Sequence, residues 1–259
     1  MENRETTPID PGRVTTTVEH GIATVSFHHP KGNSLPAALL ARLARDIAAA
    51  GASADVRVIV LRSAGAGPFC AGASFDELVA VDSPDAGTAF FSGFAHVILA
   101  MIRSPKFIVT RVHGKAAGGA VGLIAASDYA IAASSAAAKL SELAIGIGPF
   151  VVGPVIEKKI GLAAYQAMAV DAAWRTAEWC ERHGLYAAVC SDEVQLDERV
   201  AALAATLAAA NPEAMAQLKR VFWAGTEPWE TLLAERARMS GTLVLSPFTR
   251  DAIARFNRR

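Results

Sequence analysis

One order of elements recurs along this chain: an apolar run, a glycine-rich turn, then a helix. Val56–Leu61 (VRVIVL) is followed by the Gly-rich segment Ser63–Ala73 and a helical stretch from about Asp85 to Arg103. Phe107–Val112 (FIVTRV) is followed by the Gly-rich turn His113–Gly119 and a small-residue helix over Ala120–Ser127, with Tyr129–Ala132 as the next strand. Near-continuous apolar runs of this length are what a strand buried on both faces looks like. Strands that alternate with helices predict an α/β fold with mainly parallel strands, because parallel neighbours need a crossover between them.

The rest of the chain fits around that repeat. Val14–Val18 and Ile22–Phe27 read as a hairpin turning at Glu19-His20-Gly21. Pro36 opens a helix whose Leu39, Leu40, Leu43 and Ile47 share one face, with Asn33 or Ser34 as its cap and Gly51 as its end. Beyond about residue 153 no further strand is expected. Helical periodicity covers 161–170, 176–183, 198–210, 213–224 and 229–245, and Pro212 and Pro228 sit at helix starts. This divides the chain into a disordered lead-in at 1–12, an α/β core at 13–195 and a helical C-terminal module at 196–259. That module is too small for a core of its own and is expected to pack on the first part or on another subunit.

Composition narrows the function classes. Lys+Arg and Asp+Glu are both 25, the formal net charge is zero, and no basic run stands out. Nucleic acid and anionic membrane surfaces are therefore not expected partners. The N-terminus has no apolar stretch of the signal-peptide kind. The run Ala116–Ser127 is well short of the roughly 20 residues that span a bilayer. The three cysteines, Cys70, Cys180 and Cys190, match no zinc spacing and predict a reduced, cytoplasmic protein. His28, His29, His96 and His113 lack metal-ligand spacing, and no metal site is expected. Trp174, Trp179, Trp223 and Trp229 fall on C-terminal helices and read as core or subunit contacts. Asp128, at a strand start, reads as structural.

Three segments could carry chemistry. In Phe69–Leu78 (FCAGASFDEL), small residues at 71–73 let backbone N–H groups approach a ligand. In Val112–Gly122 (VHGKAAGGAVG), Gly118 and Gly119 place bare N–H groups at a helix start. In Leu140–Pro149 (LSELAIGIGP), Glu142 is a single carboxylate in an apolar loop. Burial would raise its pKa toward the range useful for proton transfer. Taken singly, each has a plain structural reading: a tight turn, close helix packing, a capping glutamate.

Together, in this order, FCAGASFDEL, VHGKAAGGAVGL and SELAIGIGP resemble the enoyl-CoA hydratase/isomerase (crotonase) superfamily over nearly the whole chain. Among its members, GGAVGL with SELAIGIGP is similar to methylglutaconyl-CoA hydratases. The resemblance implies a crotonase-like spiral of ββα units with a helical C-terminal module, assembled as a homotrimer or homohexamer. It implies an acyl-CoA thioester as substrate, with coenzyme A part of the substrate and no separate cofactor. It makes Ala71 and Gly119 the oxyanion-hole N–H donors and Glu142 the acid/base group. It places His28, His29, Ala71, Gly72, Ala73, Ser74, Phe75 and Gly118 along the CoA path, and Phe248 against the acyl pocket. The activity implied is hydration of a 2-enoyl-CoA. The alternatives are isomerisation of a 3-enoyl-CoA to a 2-enoyl-CoA and acyl-CoA binding without turnover. Two positions depart from the hydratase pattern: Gly122 stands where hydratases carry a second glutamate, and Ser74 where the family has Asp.

Overall fold

The computed structural model describes residues 10–256. The expected disordered lead-in falls, through position 9, outside the described residues. In chain order the elements are β1 (Arg13–Glu19), β2 (Ile22–His28), α1 (Ala37–Ala52), β3 (Val58–Ser63), α2 (Phe75–Ala80), α3 (Pro84–Arg103), β4 (Phe107–Val112), β5 (Ala116–Ala117), α4 (Gly119–Ala125), β6 (Tyr129–Ala133) and β7 (Ala137–Lys139). A single 3-10 turn at Leu143–Ile145 follows, then α5 (Gly153–Ile160), α6 (Leu162–Asp171), β8 (Arg175–Thr176), α7 (Ala177–Arg182), β9 (Ala188–Cys190), α8 (Glu193–Ala208), α9 (Pro212–Phe222), α10 (Trp229–Leu243) and α11 (Pro247–Phe256).

The strands form two layers. A six-stranded sheet runs β1-β2-β3-β4-β6-β9, antiparallel only at the β1–β2 hairpin. A smaller sheet runs β5-β7-β8. Each turn of the spiral gives one strand to the first layer, a short extended piece to the second, and then a helix. β4-β5-α4 and β6-β7-α5 are complete units. In the earlier turns the second layer shrinks to single bridges, Leu35 beside Ala73 and Cys70 beside Ala116. These bridges and β5 are where the glycine-rich segments lie, so the spiral stacks them in space.

β3 shows why the apolar runs had to be strands. Ile59 and Leu61 point into the main core under α1 and α3, while Val58 and Val60 point the other way, onto Leu196, Val200 and Ala204 of α8. Both faces are covered, as period-2 alternation in an all-apolar strand requires. α8 crosses position 196 and is tied to β4 by the buried Arg111, which donates to Asp197 (2.5 Å) and Glu193 (3.0 Å). α10 lies along α3. The C-terminal helices thus pack on the sheet and helices that precede them in the same chain.

Two expectations are corrected. Strands do not stop at 153: β8 and β9 follow, and β9 extends the large sheet beside β6. They are two and three residues long, too short for a period to register. Neither Asn33 nor Ser34 caps α1. Asn33 instead closes its own loop, accepting from the His29 N–H (2.9 Å) and donating to the Ala64 and Pro68 carbonyls (3.0 Å each). The Ala37 N–H at the start of α1 is taken by Glu77 Oε2, 2.8 Å away on α2. One further segment, α3, is long and apolar. By length and mean hydropathy (1.4) it could cross a membrane. Here it is a core helix, its Phe94, Val97, Ile98 and Met101 buried.

Asp128 is structural, as read. It accepts from the Ile108 N–H (2.7 Å), Trp223 Nε1 (3.2 Å) and Lys219 Nζ (2.7 Å), the last a buried ion pair. The cysteines are all free and buried, and burial pushes the Cys70 thiol up to about 12.

Candidate active site

Backbone hydrogen bonds sew the three glycine-rich and acidic segments together. The Cys70 N–H donates to the Lys115 carbonyl (3.2 Å) and the Ala117 N–H to the Cys70 carbonyl (3.0 Å). The Gly118 N–H donates to the Lys139 carbonyl (2.9 Å). A Cβ on Gly72 would lie 2.8 Å from the Ala117 carbonyl and 3.8 Å from the Gly119 nitrogen, so the 70–73 turn sits directly against the start of α4. Gly118 has φ 57, a left-handed conformation that suits glycine, and a Cβ there would stand 3.4 Å from Glu142 Oε1. Segments far apart in sequence therefore share one wall.

The donor amides are not all those expected. The Ala71 N–H is taken by the Gly32 carbonyl at 3.1 Å, and the Gly72 N–H faces Cys70 Sγ at 3.4 Å. Ala71 is thus corrected as an oxyanion donor: it is held in the loop's own hydrogen bonding. Among the described residues the N–H of Ala73 has no partner, and neither has that of Gly119, the first residue of α4. Both residues line one pocket. The sequence could not separate 71 from 73, because which amide of a tight turn stays free depends on a partner, Gly32, contributed from elsewhere.

Glu142 lines the same pocket. It precedes the 3-10 turn but makes no capping hydrogen bond, which removes the plain reading of this residue. Its Oε2 is sealed from solvent without a hydrogen-bond partner. Burial raises its pKa from 4.5 to about 7, against a smaller opposing pull from the backbone amides of Glu142 and Ser141. A carboxyl group held near neutral pH beside free N–H donors can give or take a proton under ordinary conditions.

The pocket holds about 160 Å³. Its other walls are Phe75 and Leu78 of α2, Phe90, Phe91 and Phe94 of α3, and the loop Ile145–Val152, with Ser240 of α10. Phe94 packs so closely on Gly119 that a Cβ there would be 2.5 Å from the ring. At Gly122 a Cβ would meet Val152 Cγ1 at 2.5 Å. The place of a second acidic side chain is filled by an aliphatic one. Phe75 was among the expected lining residues, but Phe90, Phe91 and Phe94 of α3 were not singled out in the sequence, since phenylalanines at helical spacing read equally well as core.

A second cavity opens outward from the first, sharing Ala71, Ala73, Phe75, Ser141 and Ile145. Its outer lining is Lys31, Ser34, Asp76, Lys139, Trp174 and Arg255. Lys115 and Lys139 hold their ammonium groups 5.3 and 5.9 Å from the Trp174 ring, which is 44% exposed. Trp174 is therefore a lining residue of the channel and not core.

Several expected ligand-facing residues serve other purposes. His29 is buried and bonded within its turn, with Ser34 Oγ 3.1 Å from Nδ1, and desolvation lowers its pKa. His28 lies near Arg13, and neither histidine lines the two cavities. Ser74 caps α2, accepting from the Glu77 N–H at 3.4 Å. Phe248 rests on Gly146, 62% exposed, outside both linings; Ala252 and Arg255 of the same helix reach the channel instead.

Two layers of strands wound as a ββα spiral, with a buried carboxyl group and free backbone amides lining one pocket, define a fold of the crotonase kind. The chain belongs to the enoyl-CoA hydratase/isomerase family, whose profile matches residues 17–253. It is 30% identical over 242 residues to a Rhodobacter capsulatus protein named as a probable enoyl-CoA hydratase, covering 92% of each chain. It is 35% identical over 130 residues to the mitochondrial methylglutaconyl-CoA hydratase of Rattus norvegicus, which is 50% of this chain and 41% of that one. The crystal structure of enoyl-CoA hydratase from Bacillus halodurans superposes with a TM-score of 0.87 at 22% identity, covering 93% of this chain and 99% of that chain.

Proposed function

We propose that this protein hydrates a 2-enoyl-CoA thioester. The observation that carries the reading is the sealed, unpartnered Oε2 of Glu142 in a pocket that also holds the free amides of Ala73 and Gly119. The thioester oxygen accepts from those two N–H groups. As water adds at C3, the negative charge that develops on this oxygen is stabilised without any reorganisation of the donors. Loss of one such donor typically costs about 3 kcal/mol of barrier. One carboxyl oxygen of Glu142 accepts the proton that the attacking water loses while the other, protonated, gives its proton to C2, so the carboxyl group ends as it began. The acyl group lies among the phenylalanines, and pantetheine runs out through the second cavity. Lys31, Lys139 and Arg255 there meet the phosphates, and Trp174 offers a face to the nucleotide. No cofactor beyond the substrate's own coenzyme A takes part.

A second reading is isomerisation of a 3-enoyl-CoA. The aliphatic filling at Gly122 favours it, because one carboxylate suffices to lift a proton from C2 and return it at C4. Purified protein given crotonyl-CoA and, separately, a 3-enoyl-CoA decides between them. Loss of the 2-enoyl absorbance with crotonyl-CoA supports hydration. Conversion of the 3-enoyl thioester alone overturns it in favour of isomerisation. Tight binding with turnover of neither points to an acyl-CoA-binding protein.

The same reading extends to the assembly: a soluble cytoplasmic homotrimer or homohexamer. Leu218, Val221 and Phe222 stand exposed together on α9, an apolar strip suited to burial between subunits. Sedimentation velocity on the full chain checks this, and a monomer at micromolar concentration overturns it.

A further inference from the structure

Ser240 is the polar residue of the acyl pocket that the chemistry above does not use. The pocket's lining is otherwise apolar side chains and glycines, apart from Ser141 and Glu142 on the opposite element. Ser240 is 1% exposed as a residue and lines the pocket. Its hydroxyl makes no hydrogen bond to the described residues, yet it is not among the polar atoms sealed away without a partner, so it opens onto the cavity. Three other hydroxyls on the same two helices are held differently. Thr242 donates to the Arg238 carbonyl (3.0 Å), Ser92 to the Thr88 carbonyl (2.7 Å) and Thr88 to the Pro84 carbonyl (2.8 Å). Each closes on the carbonyl one turn back, the usual resting place of a helical hydroxyl. Ser240 leaves that carbonyl alone and borders the cavity. A ligand that fills the cavity must meet this hydroxyl with a polar atom or leave it unsatisfied, which is unfavourable.

The fold puts it there by a glycine contact. α3 and α10 cross at Gly87 and Gly241, so closely that a Cβ on Gly87 would lie 2.7 Å from the Gly241 carbonyl. The residue before Gly241 is thereby pressed against the level of Phe90, Phe91 and Phe94, one and two turns beyond Gly87 on α3. The space left is about 160 Å³. An apolar cavity of about 150 Å³ takes a benzene ring, so an acyl group of roughly six carbons fills this one.

The geometry points to Ser240 as a specificity residue that hydrogen-bonds an oxygen carried on the acyl group away from the thioester. The substrate class is then a short oxo- or hydroxyacyl-CoA and not a plain hydrocarbon chain. This rests on the acyl-CoA reading of the pocket. Saturated thioesters undergo neither hydration nor isomerisation, so they report binding alone. Titration calorimetry of the wild-type chain and Ser240→Ala with pentanoyl-CoA, hexanoyl-CoA, 4-oxopentanoyl-CoA and 5-oxohexanoyl-CoA tests the assignment. An oxo thioester is expected to bind the wild type about tenfold more tightly than its hydrocarbon counterpart, and Ser240→Ala to erase that difference while hydrocarbon binding stays within about twofold. Ser240→Cys, which keeps the volume and weakens the hydrogen bond, gives the same readout if the alanine variant does not fold. Equal binding of the oxo and hydrocarbon ligands to the wild type overturns the proposal, as does a Ser240→Ala effect equal on both. In either case hexanoyl-CoA still binds and the acyl-CoA reading survives. Absence of binding by any of the four overturns both.

Discussion

Glu142 illustrates how one buried carboxyl group links stability to reactivity. Its pKa rises from the ordinary 4.5 to about 7, chiefly through burial. Between these values the folded protein holds a proton that the unfolded chain has released, so stability falls as pH rises through that window, by on the order of 3 kcal/mol in all. Glu142→Gln removes this loss. Urea unfolding is expected to find the variant more stable than wild type at pH 8 and little different at pH 5. The same variant is expected to lose turnover by at least about a hundredfold while CoA-thioester binding persists, measured by steady-state kinetics beside calorimetry. The pH profile of kcat/KM reports the role. If Glu142 enters as the proton donor to C2, the rate falls above about pH 7; if it enters as the base of an isomerisation, the rate rises to a plateau there. A profile without a bend between pH 5.5 and 8.5 would remove Glu142 from the reacting groups.

Between elements, close approach decides what each position tolerates. Restoring a glutamate with Gly122→Glu drives its Cβ into Val152 and toward Ile98. The expected result is a loss of about 1–3 kcal/mol of stability with no gain in hydration, partly recovered by Val152→Ala. Thermal unfolding of the single and double variants checks it, and additive losses would contradict the clash. The pair of Asp128 and Lys219 joins α9 to the start of β6, and the β4 amide of Ile108 also leans on it. Asp128→Ala removes the counter-charge of the buried Lys219 ammonium, which then keeps only its hydrogen bond to the Lys106 carbonyl (2.7 Å), and burial already lowers that group's pKa. A cost of about 3–5 kcal/mol is expected in urea unfolding. A change below about 1 kcal/mol would mean the lysine finds another partner.

At the scale of the whole molecule, the site is assembled from every part of the chain, including its C-terminal helix. Thr249 of α11 donates to the Gly146 carbonyl (3.2 Å) in the loop that follows Glu142, and Ile253 packs with Ile147 and Leu78. Ligand binding in a site built this way stabilises the entire fold. A saturated acyl-CoA at a hundred times its Kd is expected to add about 2.7 kcal/mol, raising Tm by several degrees. An unchanged Tm at saturating ligand would count against the pocket. The sequence alone determined the α/β class with mainly parallel strands, because all-apolar runs must be covered on both faces and parallel strands require helical crossovers; the spiral was implied only by the family resemblance. The sequence also determined the three chemical segments and Glu142, since glycine and an isolated carboxylate are local signals. Tertiary structure alone decided that Ala73 rather than Ala71 keeps a free amide, that Ser74 and His29 hold loops, that Trp174 faces the channel, and that β8 and β9 exist. Each of these depends on a partner distant in sequence, such as Gly32 for Ala71 or β6 for β9, and local chemistry does not specify which distant group arrives.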